Sequence, residues 1–575
     1  MTLDGLLTFL TLLVGALTFM TPVARLRLRL ALLPWMLWSL MGLISVLYLE
    51  FFHVVGLTCL RSSGWVDAAC GVLEIKLPPN AGPSDITPAQ VAFLVTLTWL
   101  ALTGVGLVRP TVHGWSLHTL KRLVMRLVHE RRYGEALELL EPNLPILDRF
   151  ASRKRRIQRL YDTLTPKPWQ MSDAMKAQVL RRAAARAKKD GQACEEDTAI
   201  ALTAPGGKGV GKPQWRERFA FRCGPWIARI VPSGAGREAA AGDILRMVLN
   251  RREVVEYIAD QRPAFAGRLL PLSHHLSNDF SDDLLARLIE RPGSALYEEV
   301  RDSQNLSGCS YYLQPDAWIL RALLDDARIA QRLNAYDPVP RQVIAMLNPN
   351  NDRNYAASLN LPWDHSFAEQ GVWRDPVFIA IRYLDLIVRA AACQAIEDHM
   401  WLYYVDDLAE AIEARYDDSG PEVDLDAEWP IRSSRMLYAI VDVLVDWIRI
   451  VEKLPPDSPH LVPENLLVDR GSANIPKSAA VTLGDVMKRV AISPRINERF
   501  KVYLLEVVLR RMRDWGPEMQ GPWIREITVR AVAQGGTIDG GPDYRRMLCA
   551  LYEQVDRPWY LELKDFEAAI GYPCN

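Results

Sequence analysis

Residues 5–49 read GLLTFLTLLVGALTFMTPVARLRLRLALLPWMLWSLMGLISVLYL, two long uncharged apolar runs joined by a turn carrying Arg25, Arg27 and Arg29. Crossing the ~30 Å hydrocarbon layer of a bilayer takes ~20 residues of helix. Every backbone amide there must find its partner within the segment, which selects helices. A third run, AQVAFLVTLTWLALTGVGLV, occupies residues 89–108 between Pro88 and Arg109-Pro110. The sequence therefore predicts three transmembrane helices over about 5–24, 30–49 and 89–108, followed by a large, mainly helical region.

Orientation follows from the Lys/Arg bias of short loops. The 25–29 turn holds three arginines, and Lys121, Arg122, Arg126, Arg131 and Arg132 follow the third run. The intervening loop, 50–87, has only Arg61 and Lys76 against four acids. This pattern places the N-terminus outside, the arginine turn inside and the C-terminal region in the cytoplasm, as in a bacterial inner-membrane protein. The opening MTLDG lacks the basic stretch of a cleaved leader, so the first run reads as a retained span. None of the runs contains Asp, Glu, Lys, Arg or His. Such residues mark ion and proton paths within bilayers, and their absence argues against a secondary transporter. Cys59 and Cys70 share the outside loop and form a candidate disulfide. Six further cysteines are scattered through the inside region without finger spacing, giving no zinc motif.

Net charge is −1 over 575 residues, but it is unevenly spread. Between Arg149 and Lys189 stand thirteen Lys/Arg and two acids; between Glu397 and Glu428 stand twelve Asp/Glu and one Arg. The basic block lies in a juxtamembrane region, 111–190, with few aromatics to stack on bases. Lipid headgroups or an acidic partner suit it better than nucleic acid. Lys121, Arg122 and Arg126 lie on an amphipathic helix expected from Trp115 to Tyr133 and are candidates for headgroup contact. The following RRYGEALELLEP, residues 131–142, resembles half of one tetratricopeptide unit, but no second copy follows at the ~34-residue period, so the resemblance implies only a helical hairpin.

Residues 191–242 hold thirteen Gly or Pro and read as a linker or irregular subdomain. Within it, Gly206-Gly207-Lys208-Gly209-Val210-Gly211-Lys212-Pro213 matches a phosphate-binding loop up to the last position. There Pro213 stands where a Ser/Thr hydroxyl would hold magnesium. Gly206, Gly211 and Lys212 are weak nucleotide-binding candidates. His274 and His275, followed by Asp279, Asp282 and Asp283, are equally weak metal candidates, since adjacent histidines cannot share a helical face. No nucleophile elbow or zinc-protease signature occurs, and neither an enzyme nor a cofactor is called for.

From residue 243 to the end, helical periodicity dominates, with irregular breaks at 334–374, 417–432 and 454–480, the second a possible domain division. The class is all-α. Residues 355–378 gather Trp363, Asp364, His365, Phe367, Trp373, Arg374 and Asp375 in an irregular stretch. Long irregular segments are often functional, so Trp363, His365, Trp373 and Arg374 are the candidate partner surface. The expected function is a membrane-anchored cytoplasmic scaffold or sensor that recruits a protein partner, and the small residues of the apolar runs permit a homo-oligomer. The rivals are a pore-forming or membrane-disrupting effector and a nucleotide-dependent enzyme using the Gly206–Lys212 loop.

Overall fold

The computed structural model describes residues 98, 117–152, 235–275, 279–307, 310–396, 401–461, 474–513, 515, 522–556 and 563–573. The chain divides into two compact units, Met1–Met247 and Val248–Asn575. The three apolar runs (Thr98 excepted, which is helical), Arg25, Arg27, Arg29, Cys59, Cys70 and the Gly206–Lys212 loop lie outside the described residues. Among the described residues no helix is long and apolar enough to cross a membrane. The described elements are almost all helical, with one two-stranded antiparallel ribbon.

In the first unit, α1 (Leu117–His129) buries Leu117, Leu120, Val124, Leu127 and Val128, one face at helical spacing. Arg131, at φ 58°, closes it in the left-handed region, and the chain doubles back into α2 (Tyr133–Leu140), which continues through a 3₁₀ turn into α3 (Leu144–Ser152). α4 (Ala235–Leu249) reaches the unit boundary. It starts inside the glycine-rich stretch read as linker: Ala239, Ala240 and Ala241 carry the helix between Gly236 and Gly242. Lys121 Nζ meets Asp243 Oδ2 at 2.6 Å, which holds the Asp243 carboxyl below its ordinary range. Arg122 and Arg126 stay exposed.

The second unit begins with α5 (Arg252–Gln261), α6 (Pro263–Leu269), α7 (Asp279–Glu290) and α8 (Ala295–Asp302). The ribbon β1 (Gln304–Ser307) and β2 (Ser310–Tyr312) leads to α9 (Trp318–Leu324), α10 (Ala327–Arg332), α11 (Pro338–Leu347) and α12 (Arg353–Ser358). Then come α13 (Pro376–Cys393), α14 (Trp401–Glu413), α15 (Arg432–Arg449) and α16 (Ile475–Ile492). The chain ends in α17 (Glu498–Arg513), α18 (Pro522–Gln534), α19 (Gly541–Gln554) and α20 (Lys564–Ile570). Residues 417–431 form an irregular connection inside this unit, largely exposed up to Glu428 and buried at Pro430 and Ile431.

α13 is the centre of the second unit. All of its side chains are buried except Arg382 and Cys393, and it packs against α7, α8, α10, α11, α14 and α15. A helix apolar on every side belongs inside a protein or a membrane; here the surrounding helices supply the apolar shell. Its one deeply buried acid, Asp385, is matched by its one deeply buried base: Arg389 Nε donates to Asp385 Oδ1 at 2.7 Å, and Arg389 Nη2 reaches Asp446 Oδ2 of α15 at 3.2 Å. Trp447 Nε1 also donates to Asp385 Oδ1 at 2.8 Å. A buried charge is tolerated only when paired and hydrogen-bonded, and this set meets that condition at the α13–α15 contact.

Candidate functional site

The segment before α13 and the segment leading into α15 run antiparallel. Arg432 N donates to Leu361 O at 3.0 Å and Ser433 N to Leu359 O at 2.8 Å, with an isolated bridge between Pro362 and Ile431. This short splice brings Trp363 beside Trp429, ring centroids 5.5 Å apart and nearly perpendicular. Trp363 also meets Phe367 edge-on at 5.5 Å. Phe367 opens a single π-helical turn, Phe367–Gly371, an irregularity that recurs at functional sites. Gly371 is dictated by that ring: a Cβ there would stand 2.4 Å from Phe367 Cδ2.

Asp375 caps the start of α13, accepting from Val377 N at 2.9 Å and Phe378 N at 3.2 Å, while Tyr355 donates its hydroxyl to the same oxygen at 3.2 Å. Burial pushes its carboxyl up to about 6, against the pull of those hydrogen bonds. Trp373, in the 3₁₀ turn just before the cap, meets Phe378 on the first turn of α13, edge to face at 5.1 Å.

On α15, the spacing Arg432, Arg435, Tyr438 puts three side chains on one face. The Arg432 guanidinium lies 3.9 Å from the Phe367 centroid and 3.7 Å from Asp364. Arg435 is framed by four rings, with its guanidinium carbon 4.8 Å from Trp429, 5.0 Å from Tyr438, 5.8 Å from Phe378 and 5.9 Å from Trp363. Tyr438 continues the aromatic row to Tyr503 at 6.1 Å and from there to Phe500 at 6.1 Å. Glu428, at the end of the acidic connection, accepts from the Tyr503 hydroxyl. Burial lowers the proton affinity of Arg435, and Asp442 opposes that effect from a distance.

Trp363, Phe367, Trp373, Trp429, Tyr438, Tyr503 and Arg435 are all half-buried. They form a surface of large rings around a cation. Of the partner residues chosen from the sequence, Trp363 and Trp373 belong to this cluster. His365 and Arg374 are exposed, His365 paired only with Glu369 at 3.3 Å. Trp429, Arg435, Tyr438 and Tyr503 were missed, because they come from helices and a connection 60 to 140 residues downstream. The one available signal was the helical spacing of Arg432, Arg435 and Tyr438 behind a tryptophan.

Lys121 is occupied by Asp243, whereas Arg122 and Arg126 are exposed. The backbones of His274 and His275 end a 3₁₀ turn, Leu270–His275; their side chains lie outside the described set, and Asp282 faces Arg341 at 3.5 Å. Among the described residues no group of three or more His, Cys, Asp or Glu is placed to hold a metal ion. Cys393 is exposed, and Cys549 is disulfide-bonded. Comparison with protein-family models, curated proteins and solved structures finds no match to this chain.

Proposed function

We propose that this chain is a membrane-anchored helical scaffold that recruits a partner protein on the aromatic–arginine surface formed by residues 363–378, 429–438 and Tyr503. The observation carrying the reading is the half-buried cluster around Arg435. Trp, Tyr and Arg dominate the energetics of protein interfaces, in partly preformed apolar settings with a polar rim. Here the rim is supplied by Asp364, His365, Glu369 and Arg374, all exposed. Anchoring rests on the three uncharged runs at 5–24, 30–49 and 89–108. The exposed Arg122 and Arg126, soon after the third run, suit anionic headgroups at ~1 kcal/mol each.

The test is site-specific photo-cross-linking in native membranes. A benzophenone amino acid in place of Trp373 is expected to yield one discrete cross-linked species that disappears on adding Trp429→Ala. The same probe at Ile538, an exposed residue on α19's approach, yields none. A smear identical from both positions sinks the docking reading. The Lys/Arg bias puts the second unit in the cytoplasm, whereas the disulfide at Cys549 is of a kind that persists in oxidising compartments. A reporter active only in the cytoplasm, fused after residue 575, decides between them: activity is expected, and silence reverses the topology.

A further inference from the structure

We propose that Arg435 receives a carboxylate carried by the docking partner, with an apolar or aromatic neighbour of that carboxylate seated against Trp363 and Trp429. This rests on the docking reading above and adds the chemistry of the occupant. Arg435 makes four ring contacts, yet among the described residues its guanidinium donates no hydrogen bond and enters no ion pair. Ring quadrupoles offset part of its charge, but a ring offers no lone pair to the in-plane N–H donors of the guanidinium, which has five of them in a fixed fork. The partly buried cations around it are engaged, Arg432 with Asp364 at 3.7 Å, Arg382 with Asp385 at 3.4 Å and Arg511 with Asp442 at 2.9 Å, while Arg374 on the rim is exposed to water. Among the described residues, Arg435 is the half-buried cation in this neighbourhood whose fork is open.

The fork matches a carboxylate or a phosphate bidentately. The surroundings favour a monoanion. Asp442 along its helix is already held by Arg511 and Glu428 lies across the aromatic row, so within the half-buried cluster Arg435 alone would have to balance both charges of a dianion. The rings on either side demand that the anion be attached to something apolar. A carboxylate on or beside a hydrophobic residue, such as an acidic side chain or a chain terminus in a partner protein, satisfies both conditions.

The experiment titrates phenylacetate, phenylacetamide and inorganic phosphate into the full chain in detergent micelles, reading tryptophan fluorescence. Phenylacetate is expected to give a saturable change and phenylacetamide to bind at least about tenfold more weakly, the cost of losing a charge-assisted pair. Arg435→Gln should bring the acid down to the amide's level. Arg435→Lys, which keeps the charge and loses the fork, should fall between them and guards against a folding defect in the first variant. Equal responses to acid and amide, or an unchanged response in Arg435→Gln, overturn the proposal. So does phosphate saturating the site as well as phenylacetate, which would mark it as a receptor for free phosphate. If these titrations fail while the cross-link from position 373 persists, docking stands and only the carboxylate falls; loss of the cross-link with saturable phenylacetate binding would instead leave a small-molecule site.

Discussion

Two arginines on the packed helices α13 and α15 meet opposite environments. Arg389 is sealed in the core, and its charge is answered by Asp385 at 2.7 Å and Asp446 at 3.2 Å. Arg435 is half-buried under four rings and, among the described residues, is paired with no carboxylate. A dry cation without a partner would cost several kcal/mol, so Arg389 has to be paired for the fold to form. A cation at the surface can leave its donors to water, and then to a ligand. The difference separates an arginine that serves the fold from one available for recognition. Asp385→Ala should break the first arrangement most severely, stranding Arg389 and the Trp447 indole and lowering unfolding free energy by about 3–5 kcal/mol. Urea titration followed by tryptophan fluorescence measures it. A loss near that of an ordinary surface alanine would mean that water reaches Arg389 and that the contrast is false.

A third buried charge sharpens the comparison, because it is paired with no cation at all. Glu299 of α8 accepts backbone N–H groups of Ile319 at 3.0 Å and Leu320 at 2.8 Å, capping the short helix α9 from outside. Burial pushes its carboxyl up from 4.5 to about 7 against those hydrogen bonds. A carboxyl that holds its proton more tightly in the folded than in the unfolded state stabilises the fold fully below the unfolded value. That contribution is lost as pH rises toward the folded value. Stability should fall between about pH 4.5 and pH 7 by roughly 3 kcal/mol from this group, at ~1.4 kcal/mol per pKa unit. Glu299→Gln keeps an acceptor and removes the proton. The difference between wild type and variant, followed by thermal midpoint against pH, should vanish at pH 4 and favour neither slope if Glu299 is inert.

How far the sequence carried these distinctions depends on range. The amphipathic face of α1 was legible residue by residue, because periodicity within thirteen positions decides it. The helical periodicity that dominates from residue 243 is broken after Cys393, where Gln394 and then Ala395, at φ 53°, turn the chain; nothing in an apolar run announces such a stop. Within 334–374, read as irregular, α11 is opened by Pro338 behind Asp337, a start signal hidden by the proline-rich look of DPVP. The site was half legible. Trp363 and Trp373 stood out in an irregular stretch, but Arg435 became meaningful only when the Leu359–Ser433 splice placed it among rings from four separate elements. No local pattern encodes that encounter.

Gly371→Ala tests whether the rings around Arg432 and Arg435 are held in place or merely adjacent. The added Cβ would lie 2.4 Å from Phe367 Cδ2 and 3.0 Å from its Cγ, while the backbone at φ −66° tolerates alanine. The conflict is therefore with the ring alone. Overpacking of this kind costs about 1–3 kcal/mol, and it should move Phe367 away from Arg432 and change the fluorescence of neighbouring Trp363. A stable variant with unaltered fluorescence would show that Phe367 relocates freely, and the cluster would lose its claim to be a preformed surface.

Arg435→Met should have the smallest effect on stability, and that is its value. Methionine retains a long apolar stem against Trp429 and Tyr438 and removes only the charge. The loss is then the cation–π attraction, about 0.5–1 kcal/mol at an accessible site, offset by the desolvation the charge no longer suffers. Recognition of a partner should nevertheless fall with it, seen as loss of the cross-link from position 373. Stability and binding would then part company at Arg435, whereas at Arg389 they must fail together. A penalty at Arg435 approaching that of Asp385→Ala would place both arginines in the fold's own service and leave the aromatic surface without its recognising group.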